Sequence, residues 1–307
     1  MAPYSLTVIG DLNLDMLLQV PRFPAMDDEV EILSVARTAG GDAANIAVAA
    51  ARLGGSPVLI ACAGDDPQGR ALIEEVRQAG VNVEAVQWDS RLPNGFAIGV
   101  VRPDGQRNLL TYRGANQNLH LEERQKAIIA HSRVVHLSDP QPHIPDEILA
   151  ALRPETWLSL DPGGITVSRG IDRLTPLLKR CRVFLSNRHE IGQLTATADP
   201  FLAAERVRQL GPEIVVIKCG AEGCILVTAT LREKVGGFIV SPVDSTGAGD
   251  AFDAAFLTAL LEDRSLPEAA RFANAAGALT TLKIGTLAAL PERQAVDEFM
   301  RTDGKRS

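Results

Sequence analysis

Asp244-Ser245-Thr246-Gly247-Ala248-Gly249-Asp250-Ala251-Phe252-Asp253-Ala254-Ala255-Phe256 is the stretch on which the reading of this chain turns. Two glycines within three residues lead straight into an apolar run, the pattern of a tight turn opening into a buried helix. The first N–H groups of such a helix have no partner inside it and lie at the positive end of its dipole. A phosphate placed there is held by hydrogen bonds and by the field. Gly247 and Gly249 let the backbone come close to such an anion, so Gly247, Ala248 and Gly249 form a candidate anion hole. Asp250 adds a carboxylate in the first turn. With an ordinary pKa of ~3.9 it is ionised at neutral pH and able to accept a proton from an attacking hydroxyl. A glycine turn followed by an acid is also an ordinary helix start, and the stretch alone leaves both readings open.

Two phosphate-binding alternatives are excluded. Phe252 occupies the place of the third glycine in Gly-x-Gly-x-x-Gly, and no Gly-x-x-x-x-Gly-Lys-Ser/Thr occurs anywhere in the chain. The sequence Asp-Ser-Thr-Gly-Ala-Gly-Asp resembles the signature of the ribokinase-like (PfkB family) sugar kinases. The resemblance implies Asp250 as the catalytic base, ATP as phosphoryl donor and a three-layer α/β/α fold with a small β-sheet lid.

The rest of the chain is consistent with that class. At 307 residues it is long enough for one large domain with a small accessory piece. A formal charge of −7 without a long basic run argues against nucleic acid or anionic membrane as a partner and favours small molecules. Four cysteines form no Cys-x-x-Cys pair, so neither a zinc site nor a disulfide framework is expected. The N-terminus enters an apolar strand without a leader pattern, and no apolar run reaches membrane-spanning length, so a soluble cytoplasmic protein is expected.

Short β-branched runs near Leu6–Gly10, Val58–Ala63, Val134–Ser138, Leu158–Asp161, Val183–Ser186 and Ile214–Lys218 alternate with helical patterns. This is the rhythm of a mostly parallel sheet with helices on both faces, whose ligands bind at the carboxyl ends of the strands. Val30–Thr38, Gly95–Arg102 and Asn108–Arg113 break the rhythm and look antiparallel, the last two joined by the turn signal Pro103-Asp104-Gly105. The expected organisation is one kinase domain over about 1–300. Its lid would come from inserted segments about 12–39 and 94–114, and residues 301–307 would form a frayed tail.

Polar residues spaced two apart in Gly10-Asp11-Leu12-Asn13-Leu14-Asp15 share one face of an extended chain, and Gly40-Gly41-Asp42-Ala43-Ala44-Asn45 opens a helix of small residues. The family resemblance assigns Asn13, Asp15, Gly41 and Asn45 to sugar hydroxyls, with Asp11 and Asp42 as weaker candidates. Arg113 resembles an arginine that some sugar-acid and ketose kinases carry after the lid strand; an arginine there is more often a solvated edge charge. Phe96 on the other lid strand is a shield over the sugar, a stacking partner for a nucleobase or a packing residue, and Asp139 and His143 follow a strand end that faces the same way.

Asn187 with Glu190 three residues on is a capping box, and Asn-x-x-Glu is also the family pattern that organises water-bound Mg²⁺ and the phosphates. By resemblance, Lys218, Gly220 and Gly223 lie in the nucleotide loop, and Asn274, on a helix over Ala270–Lys283, lines the adenine pocket. On the same basis Asp244 and Thr246 bind a monovalent cation such as K⁺, and the protein is a homodimer joined through its lid. The expected activity is transfer of the γ-phosphoryl group of ATP to a primary hydroxyl of a sugar of ribose, fructose or sugar-acid type. Two other readings stay open: a nucleoside kinase, for which the few aromatic residues offer little to clamp a base, and a non-catalytic metabolite-binding protein on the same fold.

Overall fold

A computed structural model of the chain describes residues 4–103 and 106–303. In chain order its elements begin with β1 (Tyr4–Ile9), β2 (Asn13–Gln19), β3 (Ser34–Gly40), α1 (Asp42–Arg52), β4 (Pro57–Ile60), β5 (Cys62–Gly64), α2 (Pro67–Gln78), β6 (Gln87–Asp89), β7 (Gly95–Val101) and β8 (Arg107–Tyr112). They continue with α3 (Glu123–Ala130), β9 (Ser132–Ser138), α4 (Ile144–Ala151), β10 (Trp157–Asp161), α5 (Gly163–Val167), α6 (Ile171–Leu178), β11 (Cys181–Asn187), α7 (Arg188–Thr195) and α8 (Pro200–Arg208). The last are β12 (Ile214–Lys218), β13 (Cys224–Val227), β14 (Arg232–Val235), α9 (Ala248–Leu261), α10 (Leu266–Thr280) and α11 (Arg293–Asp303).

Eight strands form the central sheet in the order β14-β13-β12-β11-β10-β9-β1-β4. The six from β4 to β12 run parallel, and the β13–β14 edge is antiparallel. Side chains alternate between the two faces. Val8, Leu59, Val134 and Val216 belong to one apolar core with α1, α9 and α10, whereas their neighbours Ile9, Ile60, Val135 and Val215 belong to a second core with α3, α6 and α8. A sheet covered on both sides needs uninterrupted apolar strands, which is why these read as continuous hydrophobic runs.

The second sheet has the order β3-β2-β7-β8, with β2 parallel to β7 and the other pairs antiparallel. Two expectations shift here. The segment Gly10–Asp15 is not one strand: β1 ends at Ile9, and β2, in the second sheet, begins at Asn13. A Cβ on Gly10 would lie 2.7 Å from the Ser138 carbonyl oxygen, so the chain leaves the central sheet where only glycine fits against β9. The antiparallel run expected at Val30–Thr38 lies at Ser34–Gly40, pinned by pairing of Asn13 with Gly40.

Local boundaries move elsewhere too. The run Val58–Ala63 divides between β4 and the separate β5–β6 pair, and the helix expected at Ala270–Lys283 spans Leu266–Thr280, started by a Ser265–Glu268 capping box. Arg301–Asp303 close α11 rather than fraying; residues 304–307 lie outside the described residues, as do Asp104 and Gly105 of the β7–β8 turn signal. Among the described residues, no helix is long and apolar enough to cross a membrane.

Candidate active site

Two helix N-termini converge where the central sheet meets the second sheet. Gly247, with φ +77°, ends the signature turn and allows α9 to begin at Ala248, which puts Asp250 in the first turn. Gly41, with φ +89°, does the same for α1; a Cβ there would lie 2.5 Å from the Asp11 carbonyl oxygen. The two helices pack through small residues and meet in a hydrogen bond from Asn45 Nδ2 to Asp250 Oδ2 at 2.8 Å. Asn45 Oδ1 is buried with no hydrogen-bond partner among the described residues. A buried acceptor without a partner is costly unless a ligand supplies the donor.

Asp250 borders a cavity of about 700 Å³. Asp11 lines it from the turn after β1, Asn13 and Asp15 from β2, Gly41, Asp42 and Asn45 from the start of α1, Asp139 from just past β9, Gly164 from α5, and Thr246, Gly247 and Gly249 from the signature turn. Its roof is the face of the second sheet that carries Asp15, Leu17, Ala97, Gly99, Leu109 and Thr111. A Cβ on Gly40 would overlap the Asp15 carboxylate, so that glycine seats the acid. Asn13 is held by Asn116, whose Nδ2 donates to Asn13 Oδ1 at 2.8 Å while its Oδ1 accepts from Leu12 N. Phe96 lies on the opposite face of the roof sheet from Asp15, against Tyr112 at 5.1 Å between ring centroids, which favours its packing reading.

Concentrated carboxylates raise one another's proton affinity. Burial pushes the Asp250 pKa up to about 6, against the Asn45 bond, which favours the ionised form. Burial and then the field of Asp250 push Asp15 to about 7, and the same two causes hold Asp42 well above the ordinary carboxylate range. Asp11 rises through burial to about 6 in spite of Arg113.

Arg113 is not a solvated edge charge. Its side chain is 16% exposed, with Nη1 on Asp11 at 3.3 Å and Nη2 on Asp139 at 2.6 Å. Asp139 has φ +37°, and its Oδ1 accepts from Thr166 N and Oγ1, so the carboxylate is fixed from both sides. His143 is turned away from this cluster, with its Nε2 on the Leu119 carbonyl.

A second cavity, of about 290 Å³, lies across Gly249 from the first. Gly220, Gly223, Phe238, Phe252, Asn274 and Gly277 line it, and Ser245 and Gly249 border both cavities. Asn274 donates to the Val235 and Gly236 carbonyls and so fixes the segment that carries Phe238. Lys218 lines this cavity too, but its ammonium is bonded to Asp161 at 2.6 Å and to Asp253 at 3.0 and 3.1 Å. Burial works against that charge, yet the two carboxylates more than offset it and raise the Lys218 pKa, while Lys218 keeps buried Asp161 ionised.

Asn187 caps α7 by accepting from Glu190 N, and Glu190 Oε2 accepts from Asn187 N and Ser186 Oγ. Burial and then the charge of Asp161 raise the Glu190 pKa. Asp244 uses Oδ1 on Thr246 and Oδ2 on Gly285 N, which ties the signature turn to the loop after α10.

Asp161, Asp253 and Asn116 escaped the reading of the sequence. Asp161-Pro162-Gly163 puts an acid at a strand exit, as Gly10-Asp11 does, and Asp253 is the one charged residue between Ala251 and Leu261, so both carried a signal. Asn116 carried none.

The model of the pfkB family carbohydrate kinases matches residues 4–293. A ribokinase of Haemophilus influenzae is 30% identical over 305 residues, covering 96% of this chain and 98% of that protein. An ATP-dependent ribose-1-phosphate kinase of Halopiger xanaduensis is 32% identical, with 95% and 96% covered. The solved structure of Arabidopsis thaliana ribokinase complexed with ribose and ATP superposes with a TM-score of 0.87 at 27% identity, covering 98% of this chain and 99% of that one. Its sequence, its mostly parallel sheet and its fold neighbours agree: the chain belongs to the pfkB family of carbohydrate kinases.

Proposed function

We propose that this sugar kinase binds its acceptor in the 700 Å³ cavity and the adenine end of ATP in the 290 Å³ cavity, with phosphoryl transfer at the glycine turn between them. The observation that carries the reading is the position of Asp250 on the wall of the larger cavity, one residue after Gly249, which borders both.

In this mechanism a primary hydroxyl of the sugar lies beside Asp250, which accepts its proton as the oxygen bonds to the γ-phosphorus. The bond from that phosphorus to the β–γ bridging oxygen breaks, and ADP leaves with the electron pair. The amides of Gly247 to Asp250 stabilise the charge on the transferred group at the start of α9. Asn13, Asp15, Gly41 and Asn45 hold acceptor hydroxyls; the unpartnered Oδ1 of Asn45 suits a donor from the ligand. The sheet β3-β2-β7-β8 acts as the lid that keeps water from competing as acceptor.

Glu190 and Asn187 would hold Mg²⁺, through water. The mutual repulsion of Glu190 and Asp161 fits a divalent cation there, which supplies neutralisation of phosphate charge. The Asp244–Thr246 turn and the Gly285 loop are the expected K⁺ site, tested by the dependence of rate on KCl at constant ionic strength. Val35 and Leu110, more than half exposed on the lid sheet, favour dimerisation through it, which sedimentation checks.

No aromatic side chain is among the described residues lining the larger cavity, which favours a sugar over a nucleoside. The test is an ADP-release assay with sugars and nucleosides offered in parallel: turnover with sugars is expected, and turnover with nucleosides alone would overturn the assignment.

A further inference from the structure

The charge lining the larger cavity is one-sided. Asp11, Asp15, Asp42, Asp139 and Asp250 present carboxylates to it, and none of its described lining residues is lysine, arginine or histidine. The cation that reaches its wall, Arg113, already bonds two of those acids, at 3.3 and 2.6 Å. To receive an anion it would have to release Asp11 or Asp139 and leave a buried carboxylate unpaired. Thr166 holds Asp139 against that movement. Arg37, on the lid, pairs with Met16 and so projects on the face opposite Asp15. Lys218, across the glycine turn, is bonded to Asp161 and Asp253.

We propose that the acceptor is an uncharged polyhydroxyl compound, and that Arg113 is a positioning residue whose clamp on Asp11 and Asp139 makes the cavity reject acceptors bearing a phosphate or carboxylate. Sugar hydroxyls donate hydrogen bonds to carboxylates, whereas a dianionic phosphate has no proton to donate and finds no lysine, arginine or histidine among the described lining residues. This separates the chain from its relative named for ribose 1-phosphate, although the two are 32% identical. The inference rests on the assignment of the larger cavity to the acceptor.

Matched pairs test it: ribose against ribose 1-phosphate and fructose against fructose 6-phosphate, each pair keeping a free primary hydroxyl. ADP release and calorimetric titration of the acceptor in the presence of a non-hydrolysable ATP analogue are the two readouts. The neutral member is expected to have a kcat/KM about 100-fold higher, with the difference repeated in binding. Asp11→Asn and Asp139→Asn each free one arm of Arg113 and should move the phosphorylated-to-neutral ratio about tenfold towards the anion, through KM rather than kcat. A merely structural defect would lower both members alike and leave that ratio unmoved. Equal or preferred use of the phosphorylated acceptor by the unaltered enzyme would overturn the inference while leaving the kinase reading intact. Failure of every acceptor, charged or neutral, would overturn the kinase reading and this inference with it.

Discussion

The two cavities that meet at Gly249 are built from opposite materials. On one side five aspartates and two asparagines surround a space of about 700 Å³; on the other, glycines and apolar side chains surround about 290 Å³, with Lys218, Ser245, Asn274 and Thr281 as polar points. Carboxylates and amides suit a ligand that is recognised hydroxyl by hydroxyl, because an analogue lacking one leaves a buried acceptor unpaired. Glycines and apolar walls suit a flat ring that slides against backbone. One turn, Ser245 to Gly249, borders both, so a single helix start stands between two unlike linings.

The comparison is broken most directly at its boundary. Asp250→Asn keeps the acceptor oxygen for Asn45 but removes the proposed base; kcat should fall about 10³-fold, with acceptor and nucleotide binding by calorimetry within about twofold. Near-normal turnover would remove the proposed mechanism.

Lys218→Met tests whether the cation on the nucleotide side is structural. It leaves Asp161 and the fully buried Asp253 without their ion partner, so urea unfolding should show a loss of about 3–5 kcal/mol. An unchanged midpoint would mean that the triad contributes little to stability.

The acceptor side predicts an unusual pH response. Asp11, Asp15 and Asp250 have folded pKa values of about 6, 7 and 6 against an ordinary 3.8, so the folded state binds more protons than the unfolded one across that window. Their contribution to stability is therefore greatest at the acid end and is lost as pH rises through 6 to 7. Thermal melts of the free protein should give a higher Tm near pH 5.5 than near pH 7.5, and Asp15→Asn should flatten the slope. Activity is expected to have the opposite sign: kcat/KM should fall as pH drops through about 6, because Asp250 must be ionised to act as the proposed base.

The smallest effect is reserved for the smaller cavity, the proposed nucleotide side. Asn274→Ala loses two hydrogen bonds to the Val235 and Gly236 carbonyls, about 1 kcal/mol, and should raise KM for ATP about fivefold with the acceptor KM unmoved. A shift in acceptor KM instead would mean that the two cavities are not independent.

Much of this was legible in the chain itself, for local reasons. Gly247 before Ala248 starts a helix wherever it is folded, and Asn187 with Glu190 forms its capping box from neighbours three residues apart. The continuous apolar strands report a sheet covered on both faces. The pairing of β2 between β3 and β7 was not legible, because Gly10–Asp15 carries the same alternation whether it continues β1 or crosses to another sheet.

By itself the sequence determined the alternating α/β plan, the glycine turn with its acid and the chemical types available at the strand ends, since each is set by residues within a turn or two of one another. The tertiary structure alone decided which charges are neutralised. Arg113 finds Asp11 and Asp139 from 102 and 26 residues away, and Lys218 finds Asp161 and Asp253 from 57 and 35. An ion pair is fixed by distance in space and by exclusion of water, and neither is written in the spacing of residues along the chain.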